Sequence, residues 1–280
     1  MDFKYQYYED PLEYHHELNQ RPNKEDFYFH VDSQCEIYGF LSGDGAFRVE
    51  GTRYRLEKPT VLIARDGEAH CFEIFSQSPY EREVVHFNSD IFRDLDPEGL
   101  LMEPFYNRPL GYGNLISYDE KTSERLWRYM SAMHSTSADP KVQRLTLLSY
   151  LLPLLYEIRA VYLERQFVSE SSDPQELIGR IVKYINAHLN EPLSSEMLAR
   201  KFFISQSQIN RLFNQKIGSS VYQYIQFKRL IEARLMLRSG MAPGEVFFQC
   251  GYNDYSCFYK AYKKLFGIAP GDERKQKNVF

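Results

Sequence analysis

Residues 205–215, SQSQINRLFNQ, carry Ile209, Leu212 and Phe213 at i, i+3 and i+4. That spacing predicts a helix with those three side chains turned toward a core and Gln206, Ser207, Asn210 and Arg211 facing outward. Solvated helix faces usually carry Lys and Glu. Amides, a hydroxyl and a guanidinium instead match the donor and acceptor edges of base pairs in a DNA major groove, as Arg does on guanine and Asn on adenine. The segment 254–266 repeats the arrangement, with Phe258, Ala261, Tyr262 and Leu265 expected inward and Tyr255, Ser256, Tyr259, Lys260 and Lys263 outward. A flexible ammonium steadies a phosphate backbone without encoding sequence, so Lys260 and Lys263 are expected on phosphates. Arg211 has a second reading, a helix-surface salt bridge. The sequence holds no catalytic triad, phosphate loop or zinc framework, so no catalytic residue and no cofactor is assigned.

The elements that must position these faces are short helices with legible starts. Ser194 caps SEMLARKF, and Ser205 with Gln208 three residues on forms a capping-box start. A longer helix is expected from about Val221 to Leu237, followed by Pro243–Gln249 and Asp254–Phe266. Residues 195–215 and 243–266 are therefore two helix–turn–helix candidates flanking a long helix. Joined rigidly, two such units could reach successive turns of one groove, about 34 Å apart. Charge points the same way: residues 174–280 hold 16 Lys and Arg against 8 Asp and Glu, while residues 1–173 hold 18 against 30. A basic module for a polyanion joined to an acidic remainder fits that asymmetry.

The remainder of the 280-residue chain reads as a separate domain. FYFH, CEIYGFL, AFRVEGTRYRL, TVLIAR, HCFEIF and EREVVHF, within residues 27–87, are short aromatic and β-branched segments at hairpin spacing, predicting an antiparallel β-sandwich or barrel. Helical spacing takes over at 121–135 and 139–167, where Leu145, Leu148, Leu152, Leu155 and Tyr156 form one apolar stripe, read either as core or as a subunit contact. Ser, Asp and Pro gather at 167–175, the expected linker, and Asp173 and Pro174 mark the expected start of a helix running to about Leu189. The fold class is thus α+β in two domains: 1–120 β-rich, 121–166 a helical dimerisation segment, and 176–280 all-α. The first residues lack a secretory pattern, no apolar run matches a membrane span, and Cys35, Cys71, Cys250 and Cys257 are scattered. A cytoplasmic protein with free thiols is expected.

Three stretches carry a family likeness. The first holds Ala199, Phe203, Ile204, Ser205, Ile209, Arg211, Phe213 and Gly218; the second holds Tyr224, Ile225, Arg229, Leu230, Ala233 and Leu237. The third, CGYNDYSCFYKAYKKLFGIAPGDER, holds Gly251, Tyr252, Asp254, Ser256, Phe258, Lys260, Lys263, Lys264, Gly267, Pro270 and Arg274. In order and spacing they resemble the paired helix–turn–helix domain of AraC-type transcription regulators. The resemblance implies that Ser207, Asn210 and Arg211, and then Tyr255, Ser256, Tyr259, Lys260 and Lys263, meet DNA. Two departures stand out. Pro243 and Phe247 replace a β-branched residue and a small Ala, so Phe247 is expected to push its helix and its partner apart or to force repacking. Glu273 replaces an aromatic, which is expected to loosen the C-terminal end.

The β-rich segment resembles the cupin-like sensor domain that precedes many such DNA-binding modules. His30, Asp32, Glu36 and Gly43 keep the spacing of the first cupin motif, with Asp32 where a second His belongs, and Gly67–His70, GEAH, resembles the second without its Pro. His30, Asp32, Glu36 and His70 could therefore hold a metal. The preferred alternative is a pocket for an uncharged ligand, a carbohydrate or derivative, with His30, Asp32, Glu36 and His70 as polar anchors and Tyr38, Phe40 and Phe47 as an aromatic wall; no metal is assigned. The function this implies is an effector-controlled, sequence-specific transcription regulator, with a metal-dependent cupin enzyme carrying a DNA-binding domain as the alternative. Expected partners are double-stranded DNA, a small-molecule effector, a second copy of the chain and RNA polymerase, with no membrane.

Overall fold

Strands near the start of the chain pair with strands far along it, and the sheet so formed is what positions the polar residues of the first unit. The computed structural model describes every residue except 1, 10, 24–26, 28–29, 51, 118, 136, 166–176, 218 and 274–280; the side chains of Asp2 and Lys216 are also outside the description. It divides into two units, Met1–Pro174 and Gln175–Phe280. The expected linker at 167–175 and the helix start at Asp173 and Pro174 lie outside the described residues.

In the first unit, β1 (Asp2–Glu9), β2 (Leu12–Asn19), β3 (Cys35–Ser42), β4 (Gly45–Val49), β5 (Thr52–Leu56), β6 (Thr60–Ala64), β7 (His70–Ile74) and β8 (Tyr80–Phe87) form two antiparallel sheets, ordered β1-β2-β8-β3-β6 and β5-β4-β7. β1 and β2 precede the first strand expected from the sequence. LEYHHELN hides its period of two because nearly every side chain in β2 is buried, on one face or the other. Of the FYFH segment, His30 makes an isolated bridge to His70, and residues 28–29 are outside the description.

The five-stranded sheet has a core on each side. Between the two sheets pack Tyr38, Phe40, Tyr80 and Val84 from one and Phe47, Val49, Leu56, Phe72 and Ile74 from the other. On the opposite side Leu12, Tyr14, Ile37, Val61, Val85 and Phe87 pack against a helical layer through Leu126, Met130, Leu147 and Leu151. That layer is α1 (Glu103–Tyr106), α2 (Glu120–Ala132) and α3 (Pro140–Arg165). Gly39 makes the close approach possible, since a Cβ there would stand 2.7 Å from both Trp127 and Met130 of α2.

α3 corrects the expected stripe. Its buried face is Leu147, Leu151, Leu154, Leu155, Ile158 and Val161. Of the expected five, Leu155 belongs to that core and Leu148 packs against it, whereas Leu145, Leu152 and Tyr156 are exposed at 64%, 37% and 63%. The helix is apolar around most of its circumference, so periodicity alone could not choose its inward face. By length and composition it also passes for a membrane span, with a third of the apolar window buried.

The second unit comprises α4 (Leu177–Ala187), α5 (Ser195–Lys201), α6 (Gln206–Lys216), α7 (Val221–Arg238), α8 (Pro243–Gln249) and α9 (Tyr255–Phe266). Side-chain caps fix four of the starts: Ser194 before α5, Ser205 before α6, Ser220 before α7 and Asp254 before α9. At α6 the box is reciprocal, the Ser205 hydroxyl accepting from the Gln208 N–H and the Gln208 amide oxygen accepting from the Ser205 N–H. Arg229, on α7, donates to three main-chain carbonyls: Leu189 at 2.9 Å, Glu191 at 2.7 Å and Gly251 at 2.8 Å. It thereby ties the end of the α4 segment to the turn before α9.

Gly251 has φ +76°, and a Cβ on it would stand 2.8 Å from the Arg229 guanidinium and 2.9 Å from the Leu189 carbonyl. Gly251→Ala should therefore lose on the order of 2 kcal/mol of unit-two stability in urea denaturation. An unchanged midpoint would show that the turn tolerates a side chain.

Candidate functional site

Two exposed helix faces and one buried polar cluster carry the chemistry. On α6, Ile209 and Phe213 are fully buried, Leu212 and Asn210 are half-buried, and Ser207 and Arg211 are exposed. Arg211 makes no ion pair among the described residues, which leaves its surface salt-bridge reading without a partner. On α9, Phe258 and Tyr262 are buried; Tyr255, Ser256, Lys260 and Lys263 are exposed and Tyr259 is half-buried. Leu265, expected inward, is 39% exposed, because Phe266, four residues after Tyr262, takes the inward position on the last turn of α9. Each of these faces lies on the second helix of a packed pair, α5 with α6 and α8 with α9. In the turn before α6, Phe203 is exposed and holds φ +58°, a conformation that bulky residues rarely adopt.

Both departures are accommodated. Pro243 occupies the first turn of α8, where a missing N–H costs nothing. Phe247 stays half-buried, edge-on to Tyr255 with centroids 5.6 Å apart, while Val246 and Cys250 fill the core with Phe258. Glu273 fastens the C-terminal turn instead of loosening it. It is buried and accepts from Arg234 at 2.7 Å and Arg238 at 3.0 Å, both on α7.

The polar cluster lies in the first unit and unites the expected His30, Asp32, Glu36 and His70. His70 Nε2 is 3.3 Å from Glu36 Oε2 and 3.6 Å from Asp32 Oδ2, and His30 Nε2 is 3.5 Å from Asp32. His86 completes it, with Nε2 2.9 Å from Glu36 Oε2. Glu36 and His86 are register partners across β3 and β8; alternation along EREVVHF puts His86 on the face of Arg82 and Val84 but does not say what that face meets. His15 on β2 brings a further ring 6.1 Å from His86. Phe47 stacks on His70 at 5.5 Å, whereas Tyr38 and Phe40 are buried farther into the inter-sheet core with Phe47 and Phe72.

GEAH fixes the position of His70 through its own Glu. Glu68 is fully buried, takes both Arg108 terminal nitrogens at 2.7 and 2.6 Å, and also accepts from the Gly111 and Arg65 N–H groups and the Asn114 amide. Burial works against its ionisation, but Arg108 outweighs that and holds it at about 2. The Glu68 carbonyl in turn meets His70 Nδ1 at 2.7 Å. Burial also opposes charge on Glu36, yet the His70 and His86 imidazoles hold it well below the usual carboxylate range. For His70, burial is likewise outweighed, and Glu36 and Asp32 push it up to about 9. His15 goes the other way, burial pushing it down to about 3.

The donor atoms of His30, Asp32, Glu36 and His70 lie within 4.8 Å of one another, close enough to share a metal ion. The same cluster keeps unused hydrogen-bonding capacity: Asp32 Oδ2, Glu36 Oε1 and His86 Nδ1 are buried without a hydrogen-bond partner among the described residues.

Comparison with known proteins connects the two units. Residues 18–152 match the family described as the AraC-like ligand binding domain, and residues 198–276 match a helix-turn-helix domain family. The chain is 22% identical over 245 residues to the HTH-type transcriptional activator RhaS of Escherichia fergusonii, covering 87% of this chain and 86% of that protein. It is 36% identical over 102 residues to the HTH-type transcriptional regulator GbdR of Pseudomonas aeruginosa, covering 36% of this chain and 28% of that one. A crystal structure of an AraC-type transcriptional regulator from Chromobacterium violaceum shares 30% identity over 35% of this chain and 88% of its own, with a TM-score of 0.33. The chain belongs to the AraC family of transcription regulators. It is a DNA-binding regulator with a ligand-binding N-terminal domain, and the enzyme alternative gains no support from these relatives.

In this AraC-type regulator the ligand-binding domain carries a testable ionic pair. An imidazole raised from 6.5 to about 9 contributes stability that is fully present below pH 6.5 and lost as pH rises through about 9. Denaturation of the wild type should therefore show a fall of a few kcal/mol over that window, and His70→Gln should flatten it. A wild-type profile already flat there would contradict the pairing of His70 with Glu36.

Proposed function

We propose that Ser207, Asn210 and Arg211 on α6, and Tyr255, Ser256 and Tyr259 on α9, read base edges, while Lys260 and Lys263 hold phosphates. What supports this is the unpaired, outward placement of hydroxyls, an amide and a guanidinium on the second helix of each packed pair. The effector we assign is a carbohydrate or derivative bound by His30, Asp32, Glu36 and His70 with His86. Its hydroxyls would supply the hydrogen bonds that Glu36 Oε1 and Asp32 Oδ2 lack, and Phe47 offers an aromatic face beside His70, with Tyr38 behind it. Regulation then follows from different effector affinities for two states of the chain, acting ultimately on RNA polymerase. Buried Cys35, Cys71 and Cys250 and the exposed thiol of Cys257 suit a reducing, cytoplasmic setting.

We further infer a homodimer through α3. Its exposed positions Val142, Leu145, Ser149, Leu152, Tyr156 and Leu163 follow the alternating three-and-four spacing of a coiled-coil seam. A charge pair placed there, Leu152→Glu with Tyr156→Glu, should yield a folded monomer in sedimentation; a persisting dimer would remove α3 as the interface.

On a selected operator, Asn210→Ala or Arg211→Ala should cost about 1–3 kcal/mol at one base position, while Lys263→Ala weakens all sequences alike and lowers the salt slope by about 1. Equal losses on operator and random duplex for all three would refute base reading. A thermal-shift screen of sugars and polyols should find a compound that stabilises the wild type and not Glu36→Gln; stabilisation that survives this substitution would place the effector elsewhere.

A further inference from the structure

A second cluster of metal-binding residues lies on the other face of the five-stranded sheet. In YHHE of β2, neighbouring side chains point to opposite faces. His15 goes toward His86, whereas His16 joins Tyr14 on the side of the helical layer. Glu83 is the direct register partner of His16 on β8. His134, just after α2, closes the group from the helical side, its Nε2 3.1 Å from His16 Nδ1.

We propose that His16, Glu83 and His134 form a binding site for a divalent transition metal of the zinc class, separate from the effector cluster. The distances fit. His16 Nδ1 and His134 Nε2 are 3.6 and 3.7 Å from Glu83 Oε1. A tetrahedral centre with bonds of about 2.0–2.1 Å sets its donor atoms about 3.3 Å apart, so three ligands surround one position and leave a fourth for water. The carboxyl group is buried and incompletely bonded. Glu83 is 3% exposed, its Oε1 stands beyond hydrogen-bond distance from both imidazoles, and its Oε2 is buried without a hydrogen-bond partner among the described residues.

An outer layer orients the ligands. Glu81 meets His16 Nε2 at 2.7 Å and is itself paired with Lys4. A proton held on Nε2 by that carboxylate leaves the Nδ1 lone pair aimed at the cluster, the usual second-layer arrangement of a metal-bound histidine. Tyr5 stacks on the His134 ring at 5.3 Å and Tyr14 meets its edge at 5.7 Å, so the ring is held in place. The His134 side chain is 36% exposed, giving an ion a path from solvent. A bound ion would fasten the connection between α2 and α3 to the β2–β8 pair, just ahead of Pro140 where α3 begins.

The test uses tag-free full-length protein stripped with chelator and titrated with Co²⁺, then with Zn²⁺. One equivalent of Co²⁺ should give the strong visible bands of a low-coordinate centre, Zn²⁺ should displace them, and Zn²⁺ should raise the thermal midpoint. His134→Ala, at a partly exposed position, should keep the far-ultraviolet spectrum of the wild type while losing the bands and roughly tenfold or more in Zn²⁺ affinity. His134→Gln provides the same reading should the Ala variant misfold, and Glu83→Gln should behave likewise. His70→Ala, in the effector cluster, should retain the bands. Wild type giving only the weak spectrum of aqueous Co²⁺, bands unchanged in His134→Ala, or bands lost in His70→Ala instead would each overturn the site. Operator binding is measured separately, so failure here is distinct from failure of the DNA-reading assignment.

Discussion

One guanidinium organises the DNA-binding unit. Arg229 leaves the long helix α7 and takes three carbonyls that belong to two segments, Leu189 and Glu191 on one side and Gly251 on the other. A planar fork of donors can do this where a single ammonium could not reach all three with fixed directions. The consequence for recognition is geometric. α6 and α9 belong to different helix pairs, and the buried Arg229 joins the segment leading into the first pair to the turn before α9. Glycine at 251 is part of the same device, since its bare Cα is what lets the guanidinium approach.

The ligand-binding unit depends on a comparable constraint, the strict alternation of side chains across β2, β8 and β3. One face of these strands carries Glu36, His86 and His15 toward the space between the sheets; the other carries His16 and Glu83 toward the helices. Charged groups this deep are costly unless paired. Glu68 shows the solved case, a carboxylate saturated by Arg108 and neighbouring donors, and it thereby presents His70 on a rigid base. Glu36 and Glu83 each keep one buried oxygen without a hydrogen-bond partner among the described residues, as Glu273 does, but they face histidines where Glu273 faces Arg234 and Arg238.

How much was legible in the sequence follows from which signals are local. The helices α5 to α9 lie within a few residues of their expected ranges, and the caps legible in the sequence, Ser194 and Ser205, act on the N–H groups immediately after them. His30, Asp32, Glu36 and His70, grouped from the sequence, do converge in space. β1 and β2 were missed because a strand buried on both faces loses its polar–apolar alternation, and with them went His15 and His16. His86 and Glu83 were passed over inside a correctly located strand, since nothing local says which face of EREVVHF meets another histidine.

Neighbouring residues alone are enough to give helices α5 to α9, their paired helix–turn–helix order and the residue types on the two outward faces, because caps and periodicity are local properties. Tertiary structure alone decided which side of α3 is core and which is exposed, and that Glu273 is buried against Arg234 and Arg238. It alone also made register partners of His16 and Glu83, 67 positions apart in sequence. The reason is common to all three. An apolar helix or a charged side chain has no preferred partner until distant segments are packed against it, and burial then leaves it only the partners within reach.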